Sequence, residues 1–487
     1  MRPELSSDLA ENLQELEERF GDSPDLVNHQ FSTQTGQRAA LLYLEGLVDK
    51  VTINSHILHP LLHVMQDNQT PIEVISVGQT KQIFRFADIE HALFQGKSVL
   101  FVNGDTAAIE IETQGWPQRA IQDPQSESTL RGAHQGFTET AGQNISLIRR
   151  YLTNRRLTIK KLTVGERSHT TLYLVYLADV ARPEIVRELE TRIRAISTDA
   201  ILSTGELEQR IEDNPYTPFP QFQITERPDA AVSQILQGRI AVITDGSPGA
   251  LIGPMVFVSF FQSMDDYSAR FVLASFIRLL RFTALLIAMF LPALYVATIS
   301  FHYEMLPLNL LLSIGESRAK VPFPPYLEAL MMEITLEMLR EAGIRLPAPI
   351  GQTVGIVGGI VIGEAAVQAG FVSNIMVIIV SLTAIASFII PNHEMAASVR
   401  LIRFPLMLLA AMFGMIGIVV GIMIIAGHLL SLESLGLPYG SPIAPLRLRD
   451  WKDTIVRFPL WKMDRRPRST HPLQLRRQRP SGKEGDE

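Results

Sequence analysis

The sequence predicts a chain in two parts, an α/β N-terminal cytoplasmic region with two subdomains and an all-α polytopic membrane domain. Short runs typical of strands and helices alternate through residues 1–248. Beyond residue 249 the chain contains uncharged apolar stretches long enough to cross a hydrocarbon core of roughly 30 Å. The mean hydropathy of +0.15 averages these two unlike halves.

The first subdomain is predicted over residues 1–120. Leu9, Leu13, Leu16 and Phe20 follow helical spacing, which indicates an amphipathic helix over the first 20 residues. The apolar runs that follow predict strands over 39–44, 72–77, 98–103 and 107–113 and helices over 48–64 and 89–94.

Residues 121–145 are rich in Gly, Gln, Ser and Thr, which predicts a linker. The second subdomain follows over residues 146–248. A helix is expected to begin at Pro183, because proline suits the first helical turn. The remaining predicted elements are strands over 157–164, 171–177 and 239–244 and a helix over 204–211.

The membrane domain is predicted over residues 249–446, with spans near 282–303, 350–371, 372–391 and 404–430. Glu364 is the single charged residue among the 42 residues of 350–391. A straight helix of that length is about twice as long as a bilayer core is thick, so two spans turning near 370–374 are expected.

Both termini are expected in the cytoplasm. The first 30 residues lack the apolar region of a signal peptide, and the tail over 447–487 carries 12 Lys and Arg against 6 Asp and Glu. An even number of spans satisfies both observations. The same count places Arg400 and Arg403 in an outside loop, against the usual preference of positive charge for the cytoplasmic side.

The composition excludes several kinds of site. The chain has no cysteine, which removes thiol nucleophiles, disulfides and cysteine-ligated metals. His56, His59 and His63 do not form a metal-binding motif and are interpreted as packing or surface residues, and Asp245–Gly249 is interpreted as a turn. We therefore expect no enzyme activity, no catalytic residues, no metal and no cofactor.

Glycines four residues apart share a helix face and allow helix backbones to approach closely in membranes. Gly355, Gly359 and Gly363 have this spacing, and Gly414, Gly417 and Gly421 are interpreted in the same way. Two uses remain open, packing within one subunit and packing around the centre of a symmetric assembly. Glu364 is the outstanding residue, because a carboxylate within an apolar span is costly and by default indicates function.

The segment 322–343 predicts an amphipathic helix at the membrane surface or beside a polar cavity. Glu333, Glu337 and Glu341 lie four residues apart and therefore form an acidic face. This face is either solvated or, repeated in several copies, an acidic ring at a pore mouth. The basic tail is interpreted as a disordered cytoplasmic extension that contacts anionic lipid, with nucleic-acid binding as the minor alternative.

The chain resembles the A subunit of the spore germinant receptors of endospore-forming bacteria, the GerA-type spore germination proteins. The resemblance extends from about residue 36 to residue 446. Its main blocks are LLYLEGLVDK (41–50), GRIAVITDGSPGALIGP (238–254), FFQSMDDYSARF (260–271), SFIRLLRF (275–282), VPFPPYLEALMMEITLEMLREAGIRLP (321–347), PIGQTVGIVGGIVIGEAAVQAG (349–370), TAIASFIIPN (383–392) and RFPLMLLAAMFG (403–414).

The resemblance implies a multi-pass protein of the spore inner membrane. It also implies a transporter-like B subunit and a lipoprotein C subunit as partners, with nutrient detection by the complex and monovalent cation release as an early event. The A subunit of this family is thought to oligomerise and form an ion-conducting path. A related accessory germination protein, encoded with the dipicolinate-channel proteins, shares the architecture and remains an alternative.

Together these observations predict the A subunit of a nutrient receptor that triggers germination through an oligomeric ion-conducting path gated by a partner subunit. Helical spacing assigns the pore lining to Thr353, Ile356, Ile360, Gly363, Glu364 and Val367. The rival hypothesis is a non-conducting scaffold that assembles the other subunits. A secondary transporter is less favoured, because no repeated pair of broken helices is present.

Overall fold

The structure is a computed structural model that describes residues 3–21, 23–67, 69–115, 135–346, 359 and 361–478. Two α/β lobes are followed by a helical part and a C-terminal tail, and the predicted fold class is confirmed. The predicted residues Gly355, Thr353, Ile356 and Ile360 lie outside the described part of the chain.

The first lobe is built on a five-stranded antiparallel sheet in the order β1-β2-β4-β5-β3. Its strands are β1 (Leu26–Ser32), β2 (Arg38–Leu44), β3 (Thr80–Ile83), β4 (Ser98–Val102) and β5 (Ala108–Ile111). Its helices are α1 (Leu9–Phe20), α2 (Lys50–Thr52), a π-helical turn (Ile53–Leu58), α3 (His59–His63), α4 (Pro71–Val74) and α5 (Phe86–Phe94). Apolar cores fill both faces of the sheet, which explains why β4 is buried along its whole length.

The second lobe repeats this architecture with strand order β6-β7-β9-β10-β8, again wholly antiparallel. Its strands are β6 (Leu157–Val164), β7 (Thr170–Leu177), β8 (Gln223–Thr225), β9 (Ile240–Thr244) and β10 (Ala250–Gly253). Its helices are α6 (Ala141–Tyr151), α7 (Pro183–Arg194), α8 (Thr204–Ile211) and α9 (Pro228–Leu236). The two lobes therefore share both element order and strand order, a repeat that the sequence did not reveal.

A buried ion pair joins the two lobes. The Arg149 Nε in α6 lies 2.8 Å from an Asp25 carboxylate oxygen at the start of β1, and both side chains are less than a tenth exposed. The Arg149 guanidinium also donates to Ser23 Oγ at 2.9 Å. Because each charge is withdrawn from water, each depends on the other for compensation.

The helical part packs around a core that continues from the second lobe. Its helices are α10 (Asp265–Ser268), α11 (Phe271–Phe301), α12 (Leu308–Arg318), α13 (Pro325–Arg345), α14 (361–368), α15 (Asn374–Ile389), α16 (His393–Phe413) and α17 (Met415–Ser431). A two-stranded hairpin follows, β11 (Glu433–Ser434) with β12 (Leu437–Pro438). Within the described residues, α11 and α16 are long and apolar enough to span a membrane, and α15 and α17 are shorter apolar helices.

The helices run between a lobe-proximal end and a distal end. Near its start, α11 contacts the second lobe, where Arg281 Nη1 donates to the Phe261 carbonyl at 3.0 Å. At the distal end, the turn at Gly414 lies against Phe301, so α16 runs parallel to α11 and α17 returns towards the lobe. The end of α17 reaches the lobe again, because His428 Nε2 lies 2.7 Å from Thr217 Oγ1.

Two predictions of local structure are wrong, those for residues 72–77 and 404–430. Residues 72–77 do not form a strand, because Thr70 and Glu73 form a capping box that begins α4 at Pro71. The apolar stretch 404–430 is not one span, since Gly414 adopts a φ of 60° and separates α16 from α17. The predicted linker also ends earlier than expected, because α6 begins at Ala141.

The interpretation of the tail as disordered is wrong over residues 447–478. Three short 3₁₀ helices lie there, and the segment packs on the second lobe. Leu473 N donates to the Val180 carbonyl at 2.9 Å and Thr470 Oγ1 donates to the Gln237 carbonyl at 2.8 Å. The tail is thus a structured part of the chain up to residue 478.

Candidate functional site

A buried ion pair lies in the middle of the helical part. Glu333 of α13 and Arg403 of α16 pair with side chains that are 1% and 3% exposed. Arg403 Nε also donates to the Ala288 carbonyl of α11 at 2.8 Å. One guanidinium therefore ties three helices together at a depth where their other contacts are apolar.

A second layer of charge lies one helical turn closer to the lobes. Glu337 Oε1 lies 2.8 Å from Arg340 Nη1 and 3.1 Å from Arg400 Nε. Arg340 also donates to Ser387 Oγ of α15 at 3.2 Å, and its guanidinium lies 4.9 Å from the centre of the Phe388 ring. Residues three and four apart share a helix face. Glu333, Glu337 and Arg340 therefore lie on one side of α13, the side that contacts α15 and α16.

This network has more positive than negative charge and is incompletely hydrogen-bonded. Three guanidinium groups, those of Arg340, Arg400 and Arg403, meet two carboxylates. Within the described part of the chain, Glu333 Oε1, Arg403 Nη2 and Arg340 Nε are buried without a hydrogen-bond partner. A partly satisfied buried network in an apolar environment is costly, so its arrangement responds strongly to any change in helix packing.

The acidic face predicted from sequence therefore differs from a solvated surface. Glu333 and Glu337 lie against α16 and are neutralised by arginines, and only Glu341 is well exposed, paired with Arg345 at 2.6 Å. The placement of Arg400 and Arg403 in an outside loop is also wrong, because both lie within α16. The sequence contains a signal for this pairing. Arg400 and Arg403 are three residues apart and Glu333 and Glu337 are four apart, so each pair lies on one face of its helix.

A second cluster of carboxylates lies where the second lobe meets the helices. Burial and the neighbouring charges of Glu394 and Glu212 raise the pKa of Glu208 to about 9. The pKa of Glu212 rises to about 7 for similar reasons, burial and then the charges of Glu394 and Asp213. The loop after α8 attaches to the helices close by, where Ser398 Oγ donates to the Pro218 carbonyl.

The same loop also accepts hydrogen bonds from the hairpin region that follows α17. Tyr439 Oη donates to the Pro220 carbonyl and Ser434 Oγ donates to the Gln221 carbonyl, both at 2.7 Å. The lobe is thereby connected to the first part of α16 and to the hairpin after α17. Sequence reasoning missed this junction, because its partners are about 200 residues apart.

The described residues of the predicted pore lining lie in α14 and do not all point the same way. Glu364 is exposed, and its Oε1 accepts a hydrogen bond from Gln368 Nε2 at 3.1 Å. Gly363 is buried, and a Cβ added there would lie 3.8 Å from Val377 Cγ1 of α15. Val367 is half-buried against the same core. Glu364 thus faces away from the helices that the structure describes around α14.

The remaining glycines have unlike environments. Gly359 is exposed with open space around its Cα. Gly417 and Gly421 of α17 lie against α16, where added Cβ atoms would overlap the Leu409 carbonyl oxygen and the Leu406 side chain. Gly414 forms the turn between these two helices. The contacts of Gly417 and Gly421 allow α16 and α17 to approach closely.

Comparisons with known proteins agree on one family. The family model described as Bacillus/Clostridium GerA spore germination protein matches residues 14–469. "Spore germination protein KA" of Bacillus subtilis is 42% identical over 96% of this chain and 87% of that protein. "Uncharacterized membrane protein YfkQ" of the same organism is 41% identical over 95% of this chain and 91% of that protein.

A solved structure also matches. The N-terminal domain of the A subunit of the Bacillus megaterium spore germinant receptor GerK3 is 31% identical, with a TM-score of 0.42, and the match covers 53% of this chain and 98% of that one. The resemblance seen in the sequence is confirmed by the family match and by the identity to the curated relatives. The chain belongs to the Bacillus/Clostridium GerA spore germination protein family.

Proposed function

We propose that this protein is the A subunit of a nutrient-responsive germinant receptor of bacterial spores and contributes an oligomeric ion-conducting path that a partner subunit gates. Family membership supports the receptor role. The observation that carries the conducting path is Glu364, an exposed carboxylate on a helix packed among apolar helices. A carboxylate facing lipid costs about 2.5–3.5 kcal/mol, a cost that is removed if it faces a water-filled path between copies.

The helical part is proposed to cross the spore inner membrane, with the lobes, and both termini, on the cytoplasmic side. The 31 residues of α11 extend about 46 Å, more than a core of roughly 30 Å requires. Antiparallel helices return the chain to the lobe-proximal end after α17. In this arrangement α13 lies at membrane depth, which the pairing of its carboxylates with arginines makes tolerable.

The charge network of α13 and α16 is proposed to couple gating to helix packing. Its two layers link four helices, and a shift of α13 along α16 would exchange or break several charged contacts together. Packed interfaces of this kind prefer discrete arrangements over continuous deformation. A partner bound at the lobes or helices could then select one arrangement.

The proposed partners are a transporter-like B subunit, a lipoprotein C subunit and further copies of this chain. The alternatives are a scaffold that assembles those subunits without conducting ions and the accessory protein encoded with the dipicolinate-channel proteins. The scaffold hypothesis predicts that charge changes at Glu364 leave ion flux unchanged as long as the complex assembles.

The test is monovalent cation flux through the complete receptor complex expressed in vegetative cells. Glu364→Gln is expected to change leak or the selectivity for cations over anions, since a ring of carboxylates favours cations. Glu341→Gln is the matched control, because it removes an exposed carboxylate whose ion pair among the described residues is with Arg345. Unchanged flux and selectivity in Glu364→Gln, with normal complex assembly, would refute a conducting path along α14 and favour the scaffold.

A further inference from the structure

The folded tail presents a row of large apolar side chains to the outside of the chain. Between residues 446 and 461, seven such side chains are 38–68% exposed. They are Leu446, Leu448, Trp451, Val456, Phe458, Leu460 and Trp461. In a segment that packs on its own lobe through other residues, this exposure leaves a surface that lacks a partner within the described chain.

The start of α11 continues this surface. Phe271, Val272, Leu273 and Phe276 are 41–66% exposed. The Phe271 and Trp461 rings meet edge to face, with centroids 6.4 Å apart. We call the exposed apolar residues of the tail and of these first turns of α11 the interfacial face.

Ion pairs and hydrogen bonds hold the tail against the first turns of α11 and the residues just before them. Arg278 Nη1 lies 2.7 Å from Asp453 in the tail and its Nε lies 2.8 Å from Asp266. Arg457 of the tail donates to the carbonyls of Asp266 and Ala269 at 2.7 and 2.9 Å. Since Arg278 and Asp266 are at most 2% exposed, the tail cannot leave this position without exposing buried charge.

Exposed cations flank the aromatic residues of this face. Lys452 follows Trp451, Lys462 follows Trp461, and Arg449 precedes them, and all three are exposed. The acidic groups of the tail that lie within the described residues have other partners, since Asp453 pairs with Arg278, Asp464 lies 3.5 Å from Arg465, and Asp450 accepts from Ser469 N at 3.0 Å. Among the described residues no carboxylate forms an ion pair with these three cations, so their charge is available to an external anion.

We propose that the interfacial face binds the anionic phospholipid headgroups of the cytoplasmic leaflet, with its tryptophans at the level of the headgroups. Tryptophan beside lysine and arginine is the composition of protein surfaces at this level of a membrane. The excess length of α11 over a bilayer core places its first turns there. The inference rests on the proposal above that α11 crosses the membrane.

The experiment uses the full-length protein in liposomes of phosphatidylglycerol and phosphatidylcholine. The chain has three tryptophans, so Trp116→Phe leaves Trp451 and Trp461 as the fluorescent reporters. Brominated phosphatidylglycerol is expected to quench their emission more strongly than brominated phosphatidylcholine at equal mole fraction. Equal quenching by the two lipids would overturn the preference for anionic headgroups.

Charge variants test the same inference through lipid affinity. Lys452→Gln with Lys462→Gln is expected to lower the affinity for phosphatidylglycerol about 30-fold, because each cation near the surface contributes independently. Lys81→Gln with Lys161→Gln is the matched control, since both lysines are exposed, on β3 and β6, and have no ion pair among the described residues. An equal loss of affinity in the two double variants would overturn the assignment to the tail.

Two further outcomes separate this inference from the proposed function. If alkaline carbonate leaves the protein in the bilayer but bromolipids do not quench the tryptophans, the interfacial face is wrong while the membrane domain stands. If carbonate extracts the protein, the spanning role of α11 fails as well. A third outcome would assign the face to a second copy of the chain. If Trp461→Cys forms cross-links between copies, and bromolipids do not quench the tryptophans of the protein without that substitution, the lipid proposal is overturned.

Discussion

The buried pair of Glu333 and Arg403 provides the sharpest test of the helical core. Glu333→Gln should strongly destabilise the protein, because it removes the carboxylate that compensates the charge of the Arg403 guanidinium, which is only 3% exposed. Removing one member of a buried pair typically costs about 3–5 kcal/mol. Arg403→Met should lower the free energy of unfolding by about as much, since it leaves the buried Glu333 carboxylate without its partner.

The double variant Glu333→Gln with Arg403→Met should recover most of that loss. With both charges removed, neither partner leaves an uncompensated ion, and replacement of a buried pair by uncharged groups is often close to neutral. The coupling energy of the double-mutant cycle should therefore approach the sum of the two single costs. Thermal unfolding of the detergent-solubilised full-length chain, followed by tryptophan fluorescence, measures the ranking of the four proteins.

The control and the refuting result are both defined by the structure. Glu341→Gln should change the melting temperature little, since its pair with Arg345 is more than half exposed and such pairs contribute only about 0–1 kcal/mol. If Glu333→Gln is as mild as this control, the pair is not buried between α13 and α16. If the double variant is as unstable as the sum of the singles, the two residues are not partners.

Three further predictions address other parts of the chain. Glu208→Gln should raise the melting temperature at pH 8 and leave it nearly unchanged at pH 4. The pKa of Glu208 is about 9 in the folded protein against 4.5 ordinarily, so the parent protein loses stability as the pH rises above about 4.5. Melting temperatures that change with pH in the same way in both proteins would contradict the raised pKa. Gly417→Ala should lower the melting temperature by forcing α17 away from a backbone carbonyl of α16, whereas Gly427→Ala, which has open space, should not; equal effects would exclude close packing at the first position. Arg149→Met should cost about 3 kcal/mol and expose the junction of the lobes to protease, with recovery on adding Asp25→Asn; a resistant single variant would show that another contact joins the lobes.

The candidate site was only partly predictable. Glu333, Glu337 and Glu364 were recognisable because carboxylates are conspicuous among apolar residues. Their environments were not, since a hydrophobic pattern shows that a helix is amphipathic without showing what covers its polar side. Arg400 and Arg403 were misplaced for the same reason, because an arginine within a helix looks like an arginine in a loop until its partner is known.

The fold was predictable wherever its signal was local. The alternation of β6 and the helix start at Pro183 follow from side-chain periodicity and from the fixed φ of proline. The capping box at Thr70 is also a local signal, but the apolar run over 72–77 favours a strand at the same place. The break at Gly414 required the tertiary structure, because glycine is tolerated within membrane helices as well as between them.

The sequence by itself determined that two α/β lobes precede a helical part with apolar stretches of membrane-crossing length, and which family the chain resembles. Periodicity, capping and apolar length act over a few residues and can be interpreted without a fold. Only the tertiary structure decided that Glu333 meets Arg403, 70 residues away, and that the basic tail packs beside the first turns of α11. These contacts depend on which faces of distant elements pack together, and the free energy of burying a charge is set by that packing.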